Sequence, residues 1–393
     1  MLKLYRFRDY NFVLVALLVA ISTMGILLVN SADSTLTTRQ LAGFIAGFIL
    51  MVIISLIDYS WILHFGKVIY VINAVLLLMV MLFGITSKGA ARWISIGGFQ
   101  FQPTELCKIL MITFFAYYFM KHADDLSTWK TFFRSIILLA IPLIMILQQP
   151  DLKNTITMTV VFACMYFAAG LDYKKIGIVL LIVVPLAVGM LYLITQTDIP
   201  IVDDYQKSRI MAFLEPDNEE YNENAMQQDN SIVAIGSGGL TGKGLNNSDV
   251  STANKGNFIA EIQNDFIFAV AGEELGFIGG VIVILLEFSI VFMCFRIGKR
   301  AKDSGGSLIC YGMGSLIAFQ SFLNISVATG LLPNTGTPLP FVSYGLTSLI
   351  SLFIGMGLVL NVGLQKKHYT DDGGVYDYKG ETFSAEEISA KET

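Results

Sequence analysis

Residues 11–31 read NFVLVALLVAISTMGILLVNS, a run without a single charge. A helix of about 20 mostly apolar residues is long enough to cross the hydrocarbon core of a bilayer. A surface helix of a soluble protein would carry a polar face, and this one has none. Lys3, Arg6 and Arg8 precede it, as in the basic region of a signal peptide. The run is too long for one, however, and no A-x-A-like cleavage site follows, so a retained helix is predicted.

The same reading carried along the chain finds nine further spans, at 40–60, 67–86, 104–122, 132–149, 154–171, 174–196, 265–296, 305–332 and 343–365. The expected fold is an all-α polytopic membrane protein with ten transmembrane helices. Composition agrees, since 54% of the 393 residues are apolar and 15% charged, against roughly 25% charged in a soluble domain. A soluble multidomain enzyme and a largely disordered chain are both excluded. A net charge of −5 without a dense basic patch argues against nucleic-acid binding. Cys107, Cys164, Cys294 and Cys310 lie in apolar runs without CxxC spacing and read as buried hydrophobes. His64, His122 and His368 suggest no zinc site.

Charge placement orients the chain. With the N-terminus inside, the inner segments carry fifteen Lys and Arg, among them Arg296, Lys299, Arg300 and Lys302. The short outer loops carry four, namely Arg39, Lys88, Arg92 and Lys153. The positive-inside rule then puts both termini in the cytoplasm. Residues 197–264 form a long extracytoplasmic loop between helices 7 and 8, with eleven acids and four bases. Loops of this length are usually functional or disordered. The ten-helix membrane domain is expected over 1–366, and 367–393 reads as a disordered cytoplasmic tail. No internal repeat is visible, which gives no support to an inverted-repeat transporter.

Ionisable residues at bilayer depth are costly and mark function by default. Glu105 and Lys108 sit three apart on one helical face. They read either as a charge pair bordering a polar cavity or as an interhelical structural pair. Asp151 follows Gln148-Gln149-Pro150 and either caps the next helix or faces a cavity. Asp265, in Asn264-Asp265-Phe266, joins the long loop to the membrane, where a lipid head group would lie. It is either an N-cap favoured by the helix dipole or a chemical group. Glu273 is spaced to share its face, and the adjacent Glu273-Glu274 pair is hard to explain as packing. Glu287, deeper in the span, has no partner in the sequence.

Three loop motifs complete the inventory. Gly236–Gly244 resembles a phosphate loop but lacks GxxxxGK followed by Ser or Thr. It can still present backbone N–H groups to a pyrophosphate, with Lys243 assisting. Gly330–Gly345 holds Pro333, Pro338 and Pro340, which prevent a regular helix. Irregular backbone at membrane depth lines a cavity or is covered by protein, so a re-entrant loop is expected. Arg92 and Trp93 read as interfacial anchors or as binders of an anionic head group.

Together these motifs resemble the SEDS family (shape, elongation, division and sporulation), which includes RodA, FtsW and SpoVE. The landmarks are Ala91-Arg92-Trp93-Ile94, Gln102-Pro103-Thr104-Glu105, Gln149-Pro150-Asp151-Leu152, Ser231–Gly239, Asp265–Ala269 with Glu273-Glu274-Leu275-Gly276, and Gly330–Gly345. The resemblance runs from Arg8 to Lys367. Gly242-Lys243-Gly244 and the Gln206, Arg209 and Phe213 spacing lean toward the RodA branch. There are departures, at Asn230, Ala260, Gln263, Asn264 and Lys153-Asn154-Thr155. The resemblance implies a peptidoglycan glycosyltransferase in the cytoplasmic membrane. It would polymerise lipid II into β-1,4-linked strands at the outer face, release undecaprenyl pyrophosphate and serve wall synthesis in cell shape or division. It also implies a class B penicillin-binding protein as partner. Asp265 matches the family's essential acid. Trp93, Glu105, Lys108 and Asp151 match sensitive positions, and Ser231 and Ser343 fall within landmarks as candidate substrate contacts.

The chemistry can be argued independently. An α-linked donor that becomes a β-1,4 product in one displacement needs a base on the attacking hydroxyl. Asp265 is the candidate, with burial or Glu273 nearby to raise its basicity. The leaving pyrophosphate needs positive charge from Arg209, Lys243, Arg92 or a divalent cation, and no organic cofactor is expected. The alternative is a flippase or transporter for the lipid-linked precursor, which buried Glu105, Lys108 and Asp151 would serve equally. A non-enzymatic scaffold is a third reading, in which Asp265→Asn would be silent.

Overall fold

A computed structural model describes residues 9–87, 90–96, 99–171, 204–216, 222–246 and 259–365. It adds positions 174, 175, 177, 181 and 218, and the dipeptides 368–369, 375–376 and 382–383, which pair as antiparallel strands. The predicted span 174–196 and the tail lie almost wholly outside the described residues.

The chain is mostly helical. In order come α1 (Phe12–Ala32), α2 (Thr37–Ser55), α3 (Tyr59–His64) and α4 (Gly66–Phe83). A small antiparallel sheet follows, β1 (Ile85–Ser87), β2 (Ala90–Ile96) and β3 (Phe99–Phe101) in that order. Then come α5 (Pro103–Lys121), α6 (Trp129–Leu147), α7 (Leu152–Ala168), α8 (Asp204–Leu214) and α9 (Asn222–Ser237). The last three helices are α10 (Ile267–Lys299), α11 (Ser304–Ala328) and α12 (Leu346–Leu364). Seven described helices, α1, α2, α4, α6, α10, α11 and α12, are long and apolar enough to cross a membrane. This is a multi-pass membrane protein.

The expected all-α architecture therefore needs one amendment. β1, β2 and β3 form a sheet in which Ile85 pairs with Trp93 and Ile94 with Phe101. Isoleucine, tryptophan and phenylalanine suit a half-covered pleated surface. The predicted span 40–60 also breaks, because Asp58 caps α3 by accepting from Ser60 N at 3.0 Å. The span at 265–296 starts later, at Ile267, and is interrupted at Gly276, whose φ of 67° and ψ of −166° are non-helical. Only glycine adopts that backbone at little cost.

Packing follows the small residues. Gly43 and Gly47 of α2 lie one turn apart, and a Cβ on either would strike Leu346 or Phe353 of α12. This small-xxx-small stripe lets two helix backbones approach closely where hydrophobicity alone cannot drive association. α12 buries residues around its whole circumference and stands at the centre. α2 and α4 expose Leu41, Ile45, Ile49, Val71 and Leu82 on the other side, the apolar surface that lipid would cover. The four cysteines are free.

The long loop is not uniformly irregular. It contains α8 and α9, and α9 docks on α11 through Gln228 and Ser231. The Gln228 amide donates to Val327 O and Leu332 O, and the Ser231 hydroxyl to Ala328 O. These carbonyls belong to the last turn of α11 and to the segment after it, where helical partners run out.

Candidate functional site

Three segments that are distant in sequence meet at Asp265. The residue precedes α10, within a run of turns beginning at residue 259. Its side chain does not cap the helix, since Phe266 occupies the N-cap without a side-chain bond. The backbone around it is pinned by the Pro-rich segment 330–345. The Ser343 hydroxyl donates to Asn264 O at 2.6 Å, and Tyr344 N to Gln263 O at 2.9 Å. The Asn324 amide on α11 donates to both Asp265 O and Thr337 O, each at 2.8 Å. Together these hydrogen bonds fix the carboxylate's origin.

The carboxylate itself is a quarter exposed, and Arg209 Nη2 of α8 stands 4.0 Å from its Oδ2. Gly336 lies against both. With φ at +71°, a Cβ there would come within 2.7 Å of Arg209 Nη1 and 3.2 Å of Asp265 Oδ2. Glycine is thus required twice, by conformation and by close approach.

Beside this pair lies a cavity of about 180 Å³ lined by Arg92, Asp151, Lys153 and Arg209, with Pro333, Asn334 and Thr335 on the loop side. Three cations therefore border one space. Lys153 Nζ donates to Gly336 O, joining the start of α7 to the loop under Asp265. Arg92 donates from Nε to Gln149 O at 3.2 Å and from Nη2 to Pro150 O. Asp151 is fully buried. Its oxygens accept from Asn154 N, from the Asn154 amide at 2.8 Å and from Gln102 at 3.4 Å. Asp151 therefore caps α7, with its carboxylate engaged by these donors beside the cavity.

Other predicted residues fall elsewhere. Lys243 Nζ pairs with Glu273 Oε1 at 2.7 Å. The turn carrying Lys243 is stitched across the break at Gly276, with Lys243 N bonded to Glu273 O, Gly244 N to Glu274 O and Phe277 N to Gly239 O. Ser31 donates to Glu274 at 2.5 Å. The two adjacent acids belong to this clasp. The periodicity that aligned Glu273 with Asp265 does not apply, because Asp265 lies outside the helix. Glu105 and Lys108 form a 2.9 Å ion pair inside α5, both almost fully buried. Lys108 borders a void of only about 10 Å³, room for one water at most. Ser231 holds α9 and Ser343 holds the loop, while Trp93 lies on β2, part-exposed.

Sequence reasoning misses Lys153, Asn324 and Gly336. Lys153 counts there as an outer-loop charge and a departure from the family pattern, not as a site residue. Asn324 is uncharged, and a survey of ionisable residues passes over it. Among the described residues no three His, Cys, Asp or Glu side chains converge on a metal position.

The comparisons with known proteins can now be read against this geometry. Residues 4–368 match the FtsW/RodA/SpoVE model, described as cell cycle protein. The chain belongs to this family. A probable peptidoglycan glycosyltransferase FtsW of Geobacter sulfurreducens is 34% identical over 372 residues, covering 91% of this chain and 96% of that one. The peptidoglycan glycosyltransferase MrdB of Escherichia coli K12 is 31% identical over 355 residues, covering 90% and 92%. These identities do not separate the two branches. Among solved structures, a chain from a peptidoglycan synthase complex that coordinates polymerization and crosslinking superposes with a TM-score of 0.72. It is 26% identical, with 90% of this chain and 97% of that one covered. The rod shape determining protein RodA of Thermus thermophilus gives 0.65 at 25% identity, covering 92% and 98%.

Proposed function

We propose that this chain is a peptidoglycan glycosyltransferase that polymerises lipid II into β-1,4-linked glycan at the outer face of the cytoplasmic membrane and releases undecaprenyl pyrophosphate. Family membership and near full-length similarity to named glycosyltransferases support the activity. The observation that carries the mechanism is the part-exposed Asp265 beside Arg209, at the edge of a cavity bordered by three cations.

Asp265 removes the proton from the attacking sugar hydroxyl, a step worth 10²–10⁴-fold when the base is well placed. Arg209, Arg92 and Lys153 meet the charge that develops on the leaving diphosphate. The cavity, at about 180 Å³, has room for a diphosphate. Charge separation follows from this division. The base lies on the sugar side and the cations on the phosphate side, with Arg209 common to both. Whether a divalent cation assists the leaving diphosphate is tested by chelation.

Ten crossings with both termini cytoplasmic fit the described helices. The seven qualifying spans are joined by α5, which has the length but carries Glu105 and Lys108, by the shorter α7, and by the predicted span 174–196. A class B penicillin-binding protein would crosslink the product, a pairing in keeping with the synthase complex to which one structural relative belongs. The flippase reading loses ground because Glu105 and Lys108 close on each other with almost no adjoining space.

The test is polymerisation of labelled lipid II by the purified chain with its penicillin-binding partner, read as strands on a gel. Wild type should form strands, and folded Asp265→Ala should not. Strands from both would remove Asp265 as base. Strands from neither, with partner bound, would favour the flippase.

A further inference from the structure

A second cavity lies at the other end of α10, away from Asp265. It has a volume of about 390 Å³ and is bordered by Met293, Arg296 and Ile297 of α10, by Arg300 just after its last residue, by Asp9 ahead of α1 and by Phe12 at its start. Arg296 in the last turn of α10 and Arg300 at its C-cap border the same space, close enough for like charges to repel. Neither guanidinium makes a hydrogen bond or ion pair with a described residue. Among the described residues Lys108, Lys243 and Arg209 each stand beside an acid. Asp9 offsets one of the two charges at most.

Helix-end arginines gain something from the dipole alone, and that would account for their sequence position. It does not account for a cavity between them and an apolar floor. Phe12 and Val13 beside it, and Phe292 and Phe295 on α10, are 40% or more exposed. That surface continues toward the lipid-facing sides of α1 and α10. The space is therefore amphipathic in the sense of a lipid, with two guanidiniums at head-group height and aromatic and aliphatic walls below them.

We infer that this cavity binds the head group of an anionic phospholipid of the cytoplasmic leaflet. The phosphate is held between Arg296 and Arg300, and the acyl chains lie along Phe12, Met293 and Ile297. Basic pockets between membrane helices on this side hold anionic head groups by the same balance of forces. The inference is independent of the polymerase reading, because the site is at the opposite end of the 33-residue α10 from the candidate catalytic acid.

Native mass spectrometry of the full chain in detergent tests it, with phosphatidylglycerol or phosphatidylcholine added. Wild type should hold one phosphatidylglycerol roughly thirtyfold more tightly than Arg296→Gln/Arg300→Gln, about fivefold for each cation removed near a membrane surface. Phosphatidylcholine should bind both proteins equally weakly. Lys121→Gln/Lys130→Gln, which removes two cations outside the cavity, should leave phosphatidylglycerol retention unchanged. Equal retention by wild type and the arginine variant would overturn the site. An equal loss in the lysine variant would also overturn it, in favour of diffuse attraction. Displacement of the lipid by equimolar glycerol phosphate would show a free-anion site instead. If the double variant does not fold, Arg300→Gln alone should cost about fivefold, and no change there overturns the proposal.

Discussion

Asp265–Arg209 and Glu105–Lys108 are both acid–base pairs beside the membrane, yet they are built oppositely. Glu105 and Lys108 sit one turn apart on α5, touch at 2.9 Å and are sealed from solvent. Asp265 and Arg209 come from two elements, stand 4.0 Å apart and are partly open. A sealed pair gains from mutual attraction and cannot change partners, so it holds structure. An open pair gives up attraction but leaves oxygens free to accept a proton. On the proposed mechanism the first supplies stability and the second supplies chemistry. Exchanging a member of each pair should therefore fail in different assays.

The largest effect is expected at Asp265. Asp265→Asn should lower lipid II polymerisation by about 10³-fold, the middle of the range for a lost general base, with thermal unfolding in detergent unchanged. Glu105→Gln should do the reverse. It leaves Lys108 buried without its counter-charge, and breaking a buried pair this way costs about 3–5 kcal/mol. The variant should unfold well below wild type, and Glu105→Leu/Lys108→Leu should recover most of the loss. If Glu105→Gln were fully stable yet inactive, the contrast between the pairs would collapse.

How far the sequence leads depends on what each feature requires. The spans are legible because hydrocarbon imposes a length and a polarity on any helix crossing it. Asp265 is legible because an acid at a loop–membrane junction stands out, and because the family motif around it is intact. Its partners are less so. Lys153 and Gly336 meet across 183 residues and Asn324 reaches Asp265 across 59, and nothing local to Lys153 distinguishes it from an ordinary outer-loop charge. The spacing of Glu273 misled for a related reason, since helical periodicity was extended to a residue the helix does not include. The sheet at 85–101 was missed because short strands beside glycines read as loop until their pairing is seen.

Gly336 gives a smaller and sharper test. Gly336→Ala puts a methyl 2.7 Å from Arg209 Nη1 and forces alanine to φ +71°. The strain amounts to about 1–2 kcal/mol, and the guanidinium must turn away from Asp265. Polymerisation should fall by about tenfold or more while the melting temperature moves only a few degrees. A large stability loss with activity per folded molecule intact would make Gly336 a packing residue only.

The smallest effect separates the site from the clasp at Gly276. Lys243→Gln removes a cation that the sequence offered to the leaving diphosphate. The structure instead seats it 2.7 Å from Glu273, about a quarter exposed. Loss of a partly screened pair should cost about 1 kcal/mol or less in stability and leave the rate within about threefold. Lys153→Gln removes a cation that borders the cavity and bonds to Gly336 O, and it should slow polymerisation by about tenfold. Measured side by side on the same lipid II, the two lysines ask where the diphosphate lies. If Lys243→Gln were the slower enzyme, the diphosphate would sit at the clasp on α10, and the cavity beside Asp265 would have to serve the sugars instead.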